Sequence, residues 1–391
     1  MIFSLEAVEA QHGDCLILHF GSDTHPRFIL VDGGPDTVYR DRLKPRLEQI
    51  RKKWGAGEDR TLTLEMLMVS HIDDDHINGV VALIDELAEC RTEREAEHYK
   101  IGTLWFNSFS DVVGNGAKEI FTNIPVSASV ADIEAGFPGL QVDRETAAVI
   151  ASVTRGRQLR DRARLLNIPI NAPLQGLIMT PQEGTKPFLW GISGLKFTVL
   201  SPNETRLKKL WVKWDEAAKK HKNGETGALM AAYTDQSPYN LSSIVVLVEF
   251  GGKRILLTGD ARGDHIVDGL IKARLLKNED DTLHIDVLKL PHHGSDRDVE
   301  KKFFRQITAN HYLISANGKY DNPDMDVLRW ISQARHDDEY QVHLTNRDGE
   351  RELKERLHTL MASDDVLAKR MRFREEGALS IKLDLVNSVT Y

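Results

Sequence analysis

Six consecutive residues, His71-Ile72-Asp73-Asp74-Asp75-His76, constrain this chain more than any other stretch. Before them runs Leu64-Glu65-Met66-Leu67-Met68-Val69-Ser70, an apolar segment of strand length. After them, Ile77 to Leu87 has the spacing of an amphipathic helix. The motif is therefore expected on a loop between a buried strand and a helix, where a rigid scaffold presents functional side chains. Alternating residues of an extended loop point the same way, so His71, Asp73 and Asp75 converge, and His76 joins them from the helix start. A helix N-cap cluster would account for one acid. It leaves two histidines and a further acid unexplained, whereas a metal site uses all four.

The remaining chain supplies strands and helices in mixed order. Cys15 to Phe20 and Arg27 to Asp32 read as strands, the second stopped by Gly33-Gly34-Pro35. Residues 36–54 carry a helical pattern, 130–167 look helical, and Trp190 to Leu200 returns to strand character. Residues 204–222 read as a basic helix and 223–239 as a loop. Residues 243–258 read as a hairpin across Gly251-Gly252. Helix 262–277, strand 284–290, helix 298–307 and strand 311–315 follow, then a helical 349–371 and a last strand at 378–385. Two groups of mixed strands with helices between them suit a four-layered αβ/βα sandwich better than an alternating Rossmann arrangement.

The motif itself, His-x-Asp-x-Asp-His, resembles the first metal motif of the metallo-β-lactamase superfamily, usually His-x-His-x-Asp-His. An Asp in the third place, here Asp73, is similar to two branches: the hydrolase domain of the ComEC/Rec2 DNA-uptake proteins and the phosphorylcholine esterases. Further segments resemble the ComEC-like branch in the right order: His12-Gly13-Asp14-Cys15, Leu30-Val31-Asp32-Gly33-Gly34, Asn240-Leu241-Ser242-Ser243, Leu256-Leu257-Thr258-Gly259-Asp260 and Leu288-Lys289-Leu290-Pro291-His292-His293-Gly294-Ser295.

The resemblance implies an α/β fold, the four-layered metallo-β-lactamase sandwich. One domain would span 1–391, with helical insertions at about 107–190 and 204–239 and a helical and strand extension at about 349–391. It also implies metal ligands. His71 and Asp73 would hold a first ion, Asp75 and His76 a second, and Asp260 would bridge them. One of His292 and His293 would complete the second site; His292 is favoured, with His293 as a substrate or supporting contact, and the register stays open. Asp75, Asp260 and His293 are the candidate catalytic residues, and Asp14 and Asp32 support the site. Two departures stand out. The usual third-motif histidine is missing near Asn240 to Ser243, and a late Gly-His-Pro is replaced by Asp321-Asn322-Pro323.

Two divalent ions side by side activate water and stabilise developing charge. Replacing a histidine by Asp73 makes the first site harder, which suits manganese or magnesium better than zinc alone; the expected cofactors are two divalent ions, manganese or zinc, with magnesium as a third choice. Hard sites also suit phosphate oxygens, so phosphodiester hydrolysis, by a nuclease or phosphodiesterase, is expected first. A small-molecule hydrolase acting on an ester, lactone or phosphorylcholine-type group is the second reading. A catalytically degenerate partner-binding subunit is the third.

Composition limits the partners. The net charge of −8 argues against a globally basic nucleic-acid binder. Local clusters at Arg155, Arg157, Arg160, Arg162 and Arg164, and at Arg206, Lys208, Lys209, Lys213, Lys219, Lys220 and Lys222, are candidate walls for a nucleic-acid backbone; solvated helix faces are their bland meaning. No run reaches the ~18 apolar residues of a membrane span. No signal peptide is apparent at the start, and the two cysteines, Cys15 and Cys90, are expected as reduced thiols, which makes the cytoplasm the default location.

Overall fold

The computed structural model describes residues 1–108, 144–174, 176–180, 189–208, 212 and 242–387. In the first half these form β1 (Ile2–Val8), β2 (Leu16–Gly21), β3 (Pro26–Val31), α1 (Lys44–Trp54), β4 (Leu62–Met68), α2 (Asp74–Glu93), β5 (Tyr99–Ile101), β6 (Leu104–Trp105) and α3 (Arg144–Leu165). The second half holds β7 (Leu189–Ile192), β8 (Leu195–Ser201), β9 (Val245–Phe250), β10 (Lys253–Leu257), α4 (Gly263–Lys272), β11 (Leu283–Lys289), α5 (Phe303–Gln306) and β12 (Ile307–Ile314). Then come α6 (Met325–Ala334), β13 (Gln341–Leu344), α7 (Leu353–Ser363), α8 (Asp365–Arg370), β14 (Met371–Phe373) and β15 (Ser380–Asp384).

One sheet has the order β15-β1-β2-β3-β4-β5, with β6 also paired to β4; the other runs β14-β13-β12-β11-β10-β9-β8-β7. Each mixes an antiparallel part with a parallel part. Alternation along the strands builds three cores. Leu16, Leu18 and Phe20 of β2 and Ile29 and Val31 of β3 meet Val246, Val248, Ile255 and Leu257 of the opposite sheet. Ile17, Phe28 and Leu30 point the other way, onto α1, α2 and α3. Leu256, Ile285 and Leu288 face α4, α6 and α7 across the second sheet. A strand apolar on both faces must be covered on both, so helix, sheet, sheet and helix layers follow. This is the four-layered αβ/βα sandwich. A register shift in the β3–β4 ladder, where Phe28 faces Leu64 and Ile29 faces Met66, changes the parity of β4, so Leu67 and Val69 return to the helix side.

Several sequence expectations shift. The strand character of Trp190 to Leu200 resolves into a tight hairpin turning at Ser193-Gly194. The helix expected at 298–307 shrinks to Phe303–Gln306: residues 298–302 are turns and irregular chain, and Ile307 is already extended and starts β12. The helical 349–371 breaks at Asp364, whose side chain accepts from the Leu367 amide and starts a new helix. Its end, Met371, enters β14, and Ser380–Asp384 returns to pair with β1. The extension therefore completes an edge of each sheet. Residues 204–208 are helical, while 209–211 and 213–241 lie outside the described residues. No described helix is long and apolar enough to cross a membrane.

Candidate metal centre

The strand ends that carry the motifs meet at one place. β3 runs into Asp32, held in the left-handed region at φ 58°, and its amide donates to the Met68 carbonyl at 2.8 Å, tying it to the end of β4. The Gly33 amide donates to the His76 carbonyl at 2.7 Å. Gly79 of α2 lies against Gly33 so closely that a Cβ there would sit 1.9 Å from the Gly33 oxygen. That contact, which no other residue type permits, seats the start of α2 against β3. Asp73 is the N-cap of α2 by backbone position, but its side chain makes no capping hydrogen bond. Its carboxylate is thus not consumed by the helix. Asp260 follows β10, and its amide donates to Ser243 Oγ at 3.3 Å. His292 and His293 follow β11, both with positive φ, at 45° and 54°. Such strained conformations concentrate at functional sites.

The ligand atoms converge. His71 Nε2 lies 3.4 Å from Asp73 Oδ2 and 3.7 Å from Asp260 Oδ2. His76 Nε2 lies 3.3 Å from Asp260 Oδ1 and 3.9 Å from Asp75 Oδ1. His293 Nε2 lies 3.4 Å from Asp75 Oδ2 and 3.5 Å from Asp260 Oδ2. His292 Nε2 stands 3.7 Å from Asp260 Oδ2, on a side chain still 28% exposed. The triads His71–His76–Asp260 and Asp75–His76–His293 each bring three ligand atoms within 4.8 Å of one another.

The other ring nitrogens are occupied. His76 Nδ1 lies 2.9 Å from Asp32 Oδ2, and the same carboxylate accepts from the Ser70 amide and hydroxyl, both at 2.7 Å. His71 Nδ1 reaches Ser70 Oγ at 3.1 Å. His293 Nδ1 lies 3.0 Å from the Ser315 carbonyl, which can only accept, so this nitrogen carries the proton. His292 Nδ1 is paired with Asp298. By contrast, Nε2 of His71, His76 and His293 and Oδ1 of Asp260 are buried and make no hydrogen bond of good geometry; they face only one another and the neighbouring carboxylates, at 3.3–3.9 Å. Buried polar atoms are nearly always satisfied, so four orphans around one point call for a ligand. Imidazole lone pairs and carboxylate oxygens, oriented by outer hydrogen bonds, are the donor set of a divalent cation.

The electrostatics agree. Burial pushes the Asp260 carboxyl up, but His76, His293, His292 and His71 outweigh it and hold the group well below its ordinary range. Burial likewise pulls His76 down, and Asp260, Asp75 and Asp32 more than reverse it. Burial raises the Asp14 carboxyl, while Lys289 and then His293 bring it down to about 2. Lys289 is itself buried and ion-paired with Asp14 beneath the histidines. Around the centre opens a cavity of about 670 Å³ lined by eight aspartates, among them Asp36, Asp74, Asp296 and Asp324.

All the residues singled out from sequence for metal binding, His71, Asp73, Asp75, His76, Asp260 and His292, lie on this cavity or its floor, with His293 beside them. Sequence reasoning missed Ser70, Ser315 and Asp298, which orient the rings, and gave Lys289 no role although it stands inside a quoted motif. Asn322, in the place of the late motif's histidine, lies on the cavity with its amide 3.4 Å from the His292 carbonyl. The Arg cluster of α3 is largely paired: Arg155 with Asp36 at 3.7 Å, Arg162 with Asp85 at 3.0 Å, and Arg160 and Arg164 with Asp161 at 3.4 and 3.9 Å. In the second cluster Arg206 pairs with Asp268 and Lys208 with Glu204, at 2.8 and 2.6 Å. Its remaining lysines lie outside the described residues.

No protein-family model matches the chain. A stretch of 101 residues, 25% of the chain, is 31% identical to ComE operon protein 3 of Bacillus subtilis (strain 168) and spans only 12% of that protein. Among solved structures, Zn²⁺-bound PqqB from Methylobacterium extorquens is 14% identical with a TM-score of 0.39, over 94% of this chain and 87% of that one. A variant of the β-hydroxylase CmlA is 10% identical with a TM-score of 0.34, over 98% and 54%. The layer order and the two mixed sheets give the chain a four-layered αβ/βα sandwich with its motifs converging at the strand ends, the arrangement that the resemblance to the metallo-β-lactamase superfamily implies.

Proposed function

We propose that the protein is a metal-dependent hydrolase that cuts phosphodiesters. The observation that carries the reading is the set of orphaned buried atoms: three imidazole Nε2 and one Asp260 oxygen, each ring fixed from behind. In this reading His71, Asp73 and Asp260 hold one divalent ion, and Asp75, His76, Asp260 and His293 hold the other. That exchanges the roles expected of the two late histidines. His293 is buried between Asp75 and Asp260, whereas His292 stands at the edge of the cavity, turned by Asp298. When bound, such ions supply an activated water and charge stabilisation at phosphorus. The chain's own residues fix the imidazole tautomers through Asp32, Ser70 and Ser315, keep solvent from the rings, and hold His292 at the cavity wall.

Three carboxylates, Asp73, Asp75 and Asp260, beside three imidazole nitrogens make a mixed donor set with more oxygen than a histidine-rich site, which supports manganese, zinc or magnesium and a phosphate oxygen as substrate ligand. Among phosphodiesters, the ion pairing of α3 and the acidic cavity mouth favour a short molecule over a long nucleic acid. The test is turnover of bis(p-nitrophenyl) phosphate, a p-nitrophenyl carboxylic ester and a lactone, with the protein reloaded with manganese or zinc. Cleavage of the phosphodiester alone, abolished by chelation, is expected. Cleavage of the ester or lactone in its place would establish the small-molecule reading, and absence of metal binding would establish a degenerate subunit.

A further inference from the structure

On the wall formed by residues 317–322, a cation stands without a counter-charge. Lys319 lines the cavity, and its Nζ lies 3.2 Å from His12 Nε2 and 5.0 Å from the centre of the Tyr320 ring. An ammonium can only donate, so His12 accepts from it. No carboxylate lies within ion-pair distance of Lys319 among the described residues, although eight aspartates line the same cavity. Asp321, its near neighbour in sequence, is turned away and paired with Arg351 at 2.9 Å.

The segment is built to hold this pose. Tyr320 and Asp321 both adopt positive φ, 58° and 68°, which non-glycine residues rarely do. The C-terminal extension clamps them: the Glu350 amide donates to the Asn317 carbonyl at 2.7 Å, and Arg356 donates to the Asp321 carbonyl at 2.8 Å. Gly318, at φ 91°, passes so close to Glu350 that a Cβ would lie 2.0 Å from its carbonyl oxygen. The result is a Tyr320 ring 65% exposed at the mouth, stacked edge-on against His12 with ring centres 6.1 Å apart, beside a cation with donor hydrogens to spare.

We propose that Lys319 and Tyr320 form a substrate subsite: Lys319 takes a second anionic group of the substrate, and Tyr320 stacks on the planar ring next to it. The inference rests on the phosphodiesterase reading and narrows it to short nucleotide-like phosphodiesters that carry a further phosphate. Unpaired cations recognise phosphate by charge-assisted hydrogen bonds, and an exposed aromatic face accepts any base.

The test is binding, so it does not depend on turnover. Titration calorimetry compares thymidine 3′,5′-bisphosphate with thymidine 5′-monophosphate, once with manganese-loaded protein and once in EDTA. The wild type is expected to bind the bisphosphate about tenfold tighter in both conditions, a difference on the order of one charge-assisted contact. Lys319→Met should bring the ratio near one and Lys319→Arg should keep most of it. Tyr320→Ala should weaken both nucleotides several-fold, and Tyr320→Phe should not. A wild-type ratio near one, or a ratio that survives Lys319→Met in protein with an unchanged unfolding temperature, overturns the subsite. Failure to hydrolyse bis(p-nitrophenyl) phosphate would overturn the phosphodiesterase reading, and leaves this ratio to be judged by itself.

Discussion

His76 Nδ1 lies 2.9 Å from Asp32 Oδ2, so the imidazole at the start of α2 is held by a carboxylate at the end of β3, 44 residues earlier. Asp32 also accepts two hydrogen bonds from Ser70. One residue thus orients His76 directly and His71 through the Ser70 hydroxyl, leaving both Nε2 atoms pointed at Asp260. Asp32→Asn would keep the volume and lose the charge that favours the Nδ1–H tautomer. Metal affinity, read by chelator competition, should fall ~10–100-fold. An unchanged affinity would mean that Asp32 only supports the backbone.

Asp260 is the residue on which both halves of the site depend, since His71, His76 and His293 each approach it within 3.7 Å. Asp260→Ala and Asp75→Ala should each abolish hydrolysis while the far-ultraviolet circular dichroism stays native. Elemental analysis should find about two ions per chain in the wild type and fewer in Asp260→Ala. Activity surviving either change would show that the ligand assignment is wrong.

Much of the site was legible because its signal is local. The run from His71 to His76 sits in one loop, and Asp260 and His293 stand at strand ends within short motifs. The helix boundaries of the C-terminal extension were not legible, because apolar spacing does not reveal the cap at Asp364 that breaks the run. Nor were the partners that fix the rings. Ser315 and His293 are 22 residues apart, and nothing in either segment marks the contact. The pairing of the Arg cluster was hidden for the same reason: Arg162 and Asp85, 77 residues apart, meet only after α3 packs on α2. Charge read along a sequence is not charge seen on a surface.

Metal removal should destabilise the fold, not only the activity. The segments bearing His71, His76, Asp260 and His293 share buried polar atoms without a good hydrogen bond that a cation would satisfy. A ligand at a hundred times its dissociation constant stabilises the native state by about 2.7 kcal/mol. EDTA should therefore lower the unfolding temperature, and manganese or zinc should restore it. Coincident curves with and without chelator would oppose a resident metal.

Away from the site, Glu6 is fully buried, bonded to Arg46 Nε at 2.5 Å and His19 Nε2 at 2.9 Å, and also to Ser380 of β15. Burial pushes its carboxyl up, but His19 and Arg46 bring it down to about 2 from an ordinary 4.5. A folded value below the unfolded one adds stability that is complete above about 4.5 and is lost as the pH falls toward about 2. Glu6→Gln should cost about 3–5 kcal/mol at pH 7, because it removes the carboxylate charge that Arg46 faces in the interior. It should also flatten the acid side of the stability curve relative to wild type. Urea unfolding at neutral and acid pH reads both.

The last prediction concerns the α3 arginines, where a polymeric substrate would have to be gripped. Arg160 and Arg164 face Asp161, and Arg155 and Arg162 face Asp36 and Asp85. Exposed pairs of this kind are individually weak, so a phosphate could displace any one of them. Their acids would remain, however, so Asp36, Asp85 and Asp161 offset most of the positive charge of the arginines they face. A long polyanion approaching a chain of net charge −8 then finds no compensating positive wall on this side. Charge reversal at Arg157, Arg160 and Arg164 together should therefore leave the salt dependence of nucleic-acid binding unchanged, while metal content is retained. Each true phosphate contact would remove ~0.7–0.9 from the slope of log affinity against log salt. A fall of roughly two contacts' worth in the triple variant would restore α3 as a backbone-binding wall and return a nuclease acting on long nucleic acid to first place.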